Sequence, residues 1–222
     1  MKSLQTVIAV DPSVGGDISA LSVLELVDDD FDNGFATLHN EFTKVRATKS
    51  LSGSLVQQAD EIEELWKRYK KPEIGADVTG LGVGMAHILE SRGIYPMKVT
   101  ITSGMNEDRH GRVWHIGRTP LLSGLVRQLE QEKLKIMQTP HSEVIRAELT
   151  NFRNKFDNRG RLKYESVLDR EISHSDFLFS IAIGVLILSR GRARALKIEM
   201  PHRPPEEPAP KPANRNPGWY HP

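Results

Sequence analysis

Three aspartates stand where carboxylates can do chemistry: Asp11, Asp77 and Asp176. Asp11 ends the apolar run Val7-Ile8-Ala9-Val10 and is followed by Pro12, Ser13, Gly15 and Gly16. Such a run suits a strand buried on both faces, and the residues after it suit a turn. In open α/β sheets, ligands gather at strand ends of this kind. Asp77 ends a second short run, residues 73–76, and leads into the glycine-rich Val-Thr-Gly-Leu-Gly-Val-Gly84. Asp176 stands just before residues 177–188, the most apolar stretch of the chain. Each has an ordinary use as well: turn residue, strand-to-helix turn, helix N-cap. Brought together, three carboxylates repel one another and call for cations. Hard oxygen ligands suit Mg²⁺ or Mn²⁺. Two such ions about 4 Å apart can activate a water and stabilise the leaving oxygen in phosphodiester cleavage.

The surrounding pattern predicts what would position them. Residues 20–26 return as a second strand, and residues 34–45, after the Asn33-Gly34 turn, as a third. Apolar residues at intervals of three and four predict a helix over 51–69, with Ser50 or Ser52 as its cap. A strand over 73–76, a helix over 83–92 closed by Gly93, and a strand over 97–102 follow. Residues 104–114 are polar and basic and read as a surface loop or hairpin. Beyond them come a helix over 118–130 and a short strand over 134–137. A helix over 142–152 places Val144, Ile145, Leu149 and Phe152 inward. A small hairpin around residues 157–160 precedes the apolar helix over 177–188. Three hairpin strands, helix, strand, helix, strand is the element order of a ribonuclease H-like fold. This is an α/β architecture with a central mixed sheet, three antiparallel strands first, and helices on both faces. In that order the first and fourth strands are neighbours, which sets Asp11 beside Asp77, and the late helix brings Asp176 to them.

The 222 residues suit one domain, placed at 1–198, with a tail at 199–222. Eight of the last 22 residues are proline, a composition that cannot build a core and reads as a disordered tail. At 38% hydrophobic and 27% charged, the rest reads as globular. No apolar run reaches the roughly 18 residues of a membrane span, and no signal-peptide core is present. With no cysteine, disulfides, thiolate zinc sites and cysteine nucleophiles are excluded, and the composition fits the cytoplasm. The net charge of +1 advertises no nucleic acid, so any basic surface must be local. The densest clusters are Arg109 with Arg112, and Arg190 with Arg192 and Arg194. The glycine-rich turn after Asp77 is no phosphate-binding P-loop, because no Gly-Lys-Ser/Thr occurs in the chain. Nor is it a dinucleotide fingerprint, because Met85 and His87 stand where a third glycine is wanted.

Over roughly residues 5–190 the sequence resembles the nuclease domain of tailed-phage terminase large subunits. The matching stretches are Val-Asp11-Pro-Ser with Gly-Asp17-Ile-Ser-Ala-Leu, Ala-Asp77-Val-Thr-Gly-Leu-Gly, Glu148-Leu-Thr-Asn-Phe152, and His174-Ser-Asp176 with Ala182. The Asp77 stretch is the most specific. The resemblance implies that Asp11, Asp77 and Asp176 are the catalytic and metal-binding acids, with Mg²⁺ or Mn²⁺ as cofactor and two ions at work. It implies an endonuclease cutting concatemeric double-stranded DNA during genome packaging. Its partners would be a packaging ATPase, a small terminase subunit and a portal, in the host cytoplasm. Asp17 matches a recurring acid of that family, and His174 is a candidate proton-handling group. The family often pairs acids near the last helix, where this chain has Ser175 before Asp176. Terminase large subunits also carry an ATPase motor before the nuclease, so the chain reads either as an excised domain or as a separately encoded nuclease.

Three other readings compete. A Holliday-junction resolvase-like nuclease would use the same acids on branched DNA. An actin-like nucleotide switch shares the opening hairpin but needs two such domains. A non-catalytic DNA-binding or motor-docking module would keep the fold without needing the acids together.

Overall fold

The computed structural model describes residues 1–13, 19–29, 31–32, 37–38, 40–156, 162–166 and 176–199. Strand β1 (Lys2–Asp11) pairs antiparallel with β2 (Ser19–Asp28), Asp11 lying opposite Ala20. Two short strands, β3 (Phe31–Asp32) and β4 (Thr37–Leu38), pair only with each other. The third long strand, β5 (Glu41–Leu51), therefore begins later than residues 34–45 predict and runs further, antiparallel to β2 along its length. Its extension explains a second difference. Leu51 is buried at the end of β5 rather than starting a helix, and Gly53 turns the chain at φ 84°. Helix α1 (Leu55–Arg68) starts behind Ser54, whose hydroxyl accepts from the Gln57 amide while the Gln57 side chain accepts from the Ser54 N–H. That reciprocal capping box, not Ser50 or Ser52, sets the helix start.

The remaining elements fall close to where the pattern puts them. They are β6 (Glu73–Asp77), α2 (Gly82–Ser91), β7 (Met97–Thr102), β8 (Glu107–His110) and β9 (Val113–Gly117). After these come α3 (Arg118–Glu130), β10 (Leu134–Ile136), α4 (Ser142–Asn151), β11 (Phe152–Phe156) and β12 (Leu162–Ser166). Helix α5 (Asp176–Glu199) ends the described chain. It continues well past the apolar stretch at 177–188, because the Arg-, Ala- and Leu-rich residues after it are good helix formers. The tail reading for residues 199–222 falls almost wholly outside the described residues.

Eight strands form one mixed sheet in the order β10-β5-β2-β1-β6-β7-β9-β8. Strands β1, β6, β7 and β9 are parallel neighbours. The apolar run of β1 faces both ways. Ile8 and Val10 join Ala59, Ile62, Met85 and Leu89 of α1 and α2 on one side. Val7 and Ala9 join Phe177, Ile181 and Ile183 of α5 on the other, with Leu121 and Leu125 of α3 in the same core. This is the ribonuclease H-like arrangement that the element order predicts.

Candidate active site

The carboxyl ends of the parallel strands lie along one edge of the sheet. Val10 pairs with Ala76 in the parallel register of β1 and β6, so Asp11 and Asp77 leave adjacent strands side by side. The turn after Asp77 is pinned on both sides. The Thr79 N–H donates to Asp77 Oδ1 at 2.7 Å, and the Ile101 N–H of β7 donates to Thr79 Oγ1 at 3.0 Å. Two glycines are required here for different reasons. Gly80 adopts φ 63°, and a Cβ on Gly82 would collide with the Asp77 carbonyl as α2 begins. After Asp11, the Ser13 N–H donates to Ser19 Oγ at 2.7 Å. The Ser13 carbonyl accepts from Ser19 Oγ at 2.8 Å and from Gln58 Nε2 at 3.1 Å, which ties the chain beyond Asp11 to α1.

Helix α5 delivers Asp176 to this edge because it packs antiparallel to β1. Ser180 shares a buried 2.6 Å hydrogen bond with Ser22, which lies opposite Ala9. One turn on, Gly184 lies against Leu24, opposite Val7, where any side chain would strike the leucine. Gly75 of β6 makes the same room for Ile183 and Ile187. The helix start is thereby fixed at the level of Asp11. Phe177 stacks on the His141 ring at 4.5 Å between centroids. The ring nitrogens of His141 are hydrogen-bonded to Thr48 Oγ1 and Ser50 Oγ, both at 3.1 Å.

A fourth carboxylate completes the group. Glu148 of α4 is only 5% exposed, and its Oε2 accepts from the Leu178 N–H at 2.7 Å. It caps the first turn of α5, where a negative charge is also favoured by the helix dipole. The electrostatics bind the four acids into one unit. The Asp11 carboxyl is held well above its usual range, first by burial and then by Asp77, Asp176 and Glu148, with Arg118 opposing. Burial also raises Asp77, against the Thr79 hydrogen bonds and Arg118. Burial pushes Glu148 up to about 7, against its bond from the Leu178 N–H and with added repulsion from Asp176.

The donor set is all carboxylate oxygen, which suits Mg²⁺ or Mn²⁺, and its excess negative charge is what such ions offset. Among the described residues, no three His, Asp or Glu side chains already stand in a metal-ligating arrangement.

Of the residues expected from the sequence, Asp11, Asp77 and Asp176 come together. Asp17, His174 and Ser175 lie outside the described residues, as do the side chains of Arg192 and Arg194. Arg112 reaches the other end of β6, and Arg109 stands on the edge strand β8 opposite Trp114. Arg112 bonds Glu73 and the Tyr95 carbonyl, and Arg109 sits over the Trp114 ring at 4.7 Å. Arg190 is bound by both oxygens of Glu107 at 2.7 Å. Sequence reasoning singled out Glu148 only as the start of a matching stretch, with no role, and missed Arg118. The signal for Glu148 was a charged residue three positions after buried Ile145, on the inward stripe. Val144, expected inward, is instead 45% exposed.

No protein-family model and no curated protein sequence matches the chain. Solved structures do. The large terminase nuclease of thermophilic phage G20c with bound magnesium superposes with a TM-score of 0.57 at 21% identity, over 82% of this chain and 80% of that one. The same phage's nuclease without a named metal gives 0.55 at 22% identity, over 81% and 80%. Its cobalt-bound form gives 0.56 at 21%, over 82% and 80%. The chain therefore has the ribonuclease H-like fold of terminase large-subunit nuclease domains.

Proposed function

We propose that this protein is a divalent-metal-dependent endonuclease that cleaves double-stranded DNA, as a terminase nuclease cuts concatemeric viral DNA during genome packaging. One observation carries the reading. Asp11, Asp77, Glu148 and Asp176 come from four separate elements and share one electrostatic environment, in which burial and mutual repulsion raise the Asp11 and Glu148 carboxyls. A structural use of any one acid would not require the other three. The magnesium-bound G20c nuclease has the same fold and supports the choice of ion.

In this reading Asp11, Asp77 and Asp176, with Glu148, hold Mg²⁺ or Mn²⁺ at two positions. Bound ions supply Lewis-acid activation of water and neutralise charge developing on the phosphodiester. Asp11 and Asp77 act from rigid strand ends, which fixes where the phosphate must sit. Glu148 accepts from the Leu178 N–H in the first turn of α5, the turn that carries Asp176. Without metal, burial holds the Glu148 carboxyl up at about 7, and a bound cation would favour its ionised form. Asp17 and His174 are accessory candidates in the same reading. Its partners are DNA, a packaging ATPase, a small terminase subunit and a portal, in the cytoplasm of a host cell. No helix among the described residues is long and apolar enough to cross a membrane.

The test is incubation with supercoiled plasmid in Mg²⁺, Mn²⁺ and EDTA. The expected result is nicked and linear DNA with either ion, none in EDTA, and none with Asp11→Asn. Absence of cleavage with every divalent ion, or cleavage undiminished in Asp11→Asn, overturns the reading.

A further inference from the structure

A cluster of four acids repels the phosphate that it must approach, so the arginines near it decide how DNA can dock. Arg109, Arg112 and Arg190 are all engaged with acceptors or rings of the protein itself. Arg118 is different. It is exposed, and it makes no ion pair among the described residues. It directly follows Gly117, the last residue of β9, and so stands on the same sheet edge as Asp11 and Asp77. Its guanidinium lies 5.1 Å from the ring centroid of Phe179, one helical turn from Asp176 on the same face of α5. That cation–π contact does not use the guanidinium N–H donors. The N-terminus of α3, whose cap is Gly117 with no side chain to fill it, adds partial positive charge at the same point.

We propose that Arg118 is a substrate-contacting residue that binds a phosphate of the DNA backbone next to the carboxylate group. The proposal rests on the nuclease reading for the identity of the substrate. The acids select the cations, and Arg118 supplies the fixed charge that lets a phosphodiester enter. A guanidinium offers a bidentate fork to phosphate, which an ammonium does not.

The alternative is that Arg118 only offsets the charge of Asp11 and Asp77. The test removes that role first. In an Asp11→Asn/Asp77→Asn background, fluorescence anisotropy measures binding to a short duplex over a range of salt. There Arg118→Gln should weaken binding about tenfold near 0.1 M salt and reduce the slope of log affinity on log salt by about 1. Arg118→Lys should restore the slope but not the whole affinity. Melting in the absence of ions checks that each variant is folded. Equal affinity and slope with and without Arg118 in this background overturn the proposal, whatever plasmid cleavage shows. Loss of DNA binding in Arg118→Gln, in a protein that fails to cut DNA under any condition, would retain the phosphate contact and dismiss the nuclease.

Discussion

The two ends of the parallel strands treat charge in opposite ways. Glu73 and Asp77 are the first and last residues of β6, about 13 Å apart. At the Glu73 end, charge is paired within the protein: Arg112 bonds Glu73 and the Tyr95 carbonyl. Further out along the sheet, Lys98 pairs with Glu90 at 2.6 Å, and Arg109 covers Trp114. At the Asp77 end, four acids gather, and Arg118 opposes the charge of two of them, Asp11 and Asp77. The first end is built for stability, with exposed pairs worth little individually. The second keeps charge repulsion in the metal-free fold, which is the condition for binding cations tightly when they arrive. The same strands thus carry an edge where charge is paired and an edge where acids are clustered.

The contrast can be broken most sharply at Asp77. Removing a metal ligand removes several kcal/mol of transition-state stabilisation, so Asp77→Ala should cut plasmid cleavage by about a thousandfold. Loss of one repelling charge should meanwhile raise the metal-free melting temperature. An active but less stable Asp77→Ala would make Asp77 a turn residue like those at the other edge.

Next in size is the response to pH without metal. Asp11, Asp77 and Glu148 all have raised values in the fold, so the folded state binds more protons than the unfolded one. Their contribution is fully present below the ordinary carboxyl values and is lost as pH rises through the folded ones. For Glu148 the window runs from 4.5 to about 7. Stability should fall across it by about 3 kcal/mol for this residue alone, as read from urea midpoints. Glu148→Gln keeps an oxygen for the Leu178 N–H and should flatten that part of the curve. A pH profile identical in Glu148→Gln would remove Glu148 from the edge where acids are clustered.

Saturating metal should reverse the penalty. At a Mn²⁺ concentration of a hundred times the Kd, stabilisation is about 2.7 kcal/mol, and Asp11→Asn should show far less. Equal thermal shifts in both proteins would separate ion binding from Asp11. The smallest effect belongs to the edge where charge is paired. Arg112→Ala should cost about 1 kcal/mol or less and leave cleavage per folded molecule unchanged. A large loss of DNA affinity in Arg112→Ala would instead extend the binding surface around to that edge.

The apolar run before Asp11, the Asp-x-Thr-Gly-x-Gly turn and the buried helix after residue 176 were legible because each is a local pattern: a period, a glycine requirement, a cap. From them the order of elements, the adjacency of β1 and β6, and the convergence of Asp11, Asp77 and Asp176 could be derived. The start of α1 was misplaced because Leu51 fits a helical period as well as a strand end. Only pairing with β2 over the whole of β5 assigns it to the sheet. The roles of Glu148 and Arg118 escaped for a related reason. Each belongs to its own helix in sequence, and its role depends on what lies across the gap: the bare first turn of α5 for one, the Phe179 ring and the acids for the other. Likewise, nothing local distinguishes Arg112 or Arg190 from a DNA-binding arginine. Packing brings Glu73 and Glu107 to them and spends their charge within the protein. The sequence by itself determined which elements form and which acids end them. Tertiary structure decided which charges are compensated and which are left facing the site, because compensation depends on distances between residues far apart in the chain.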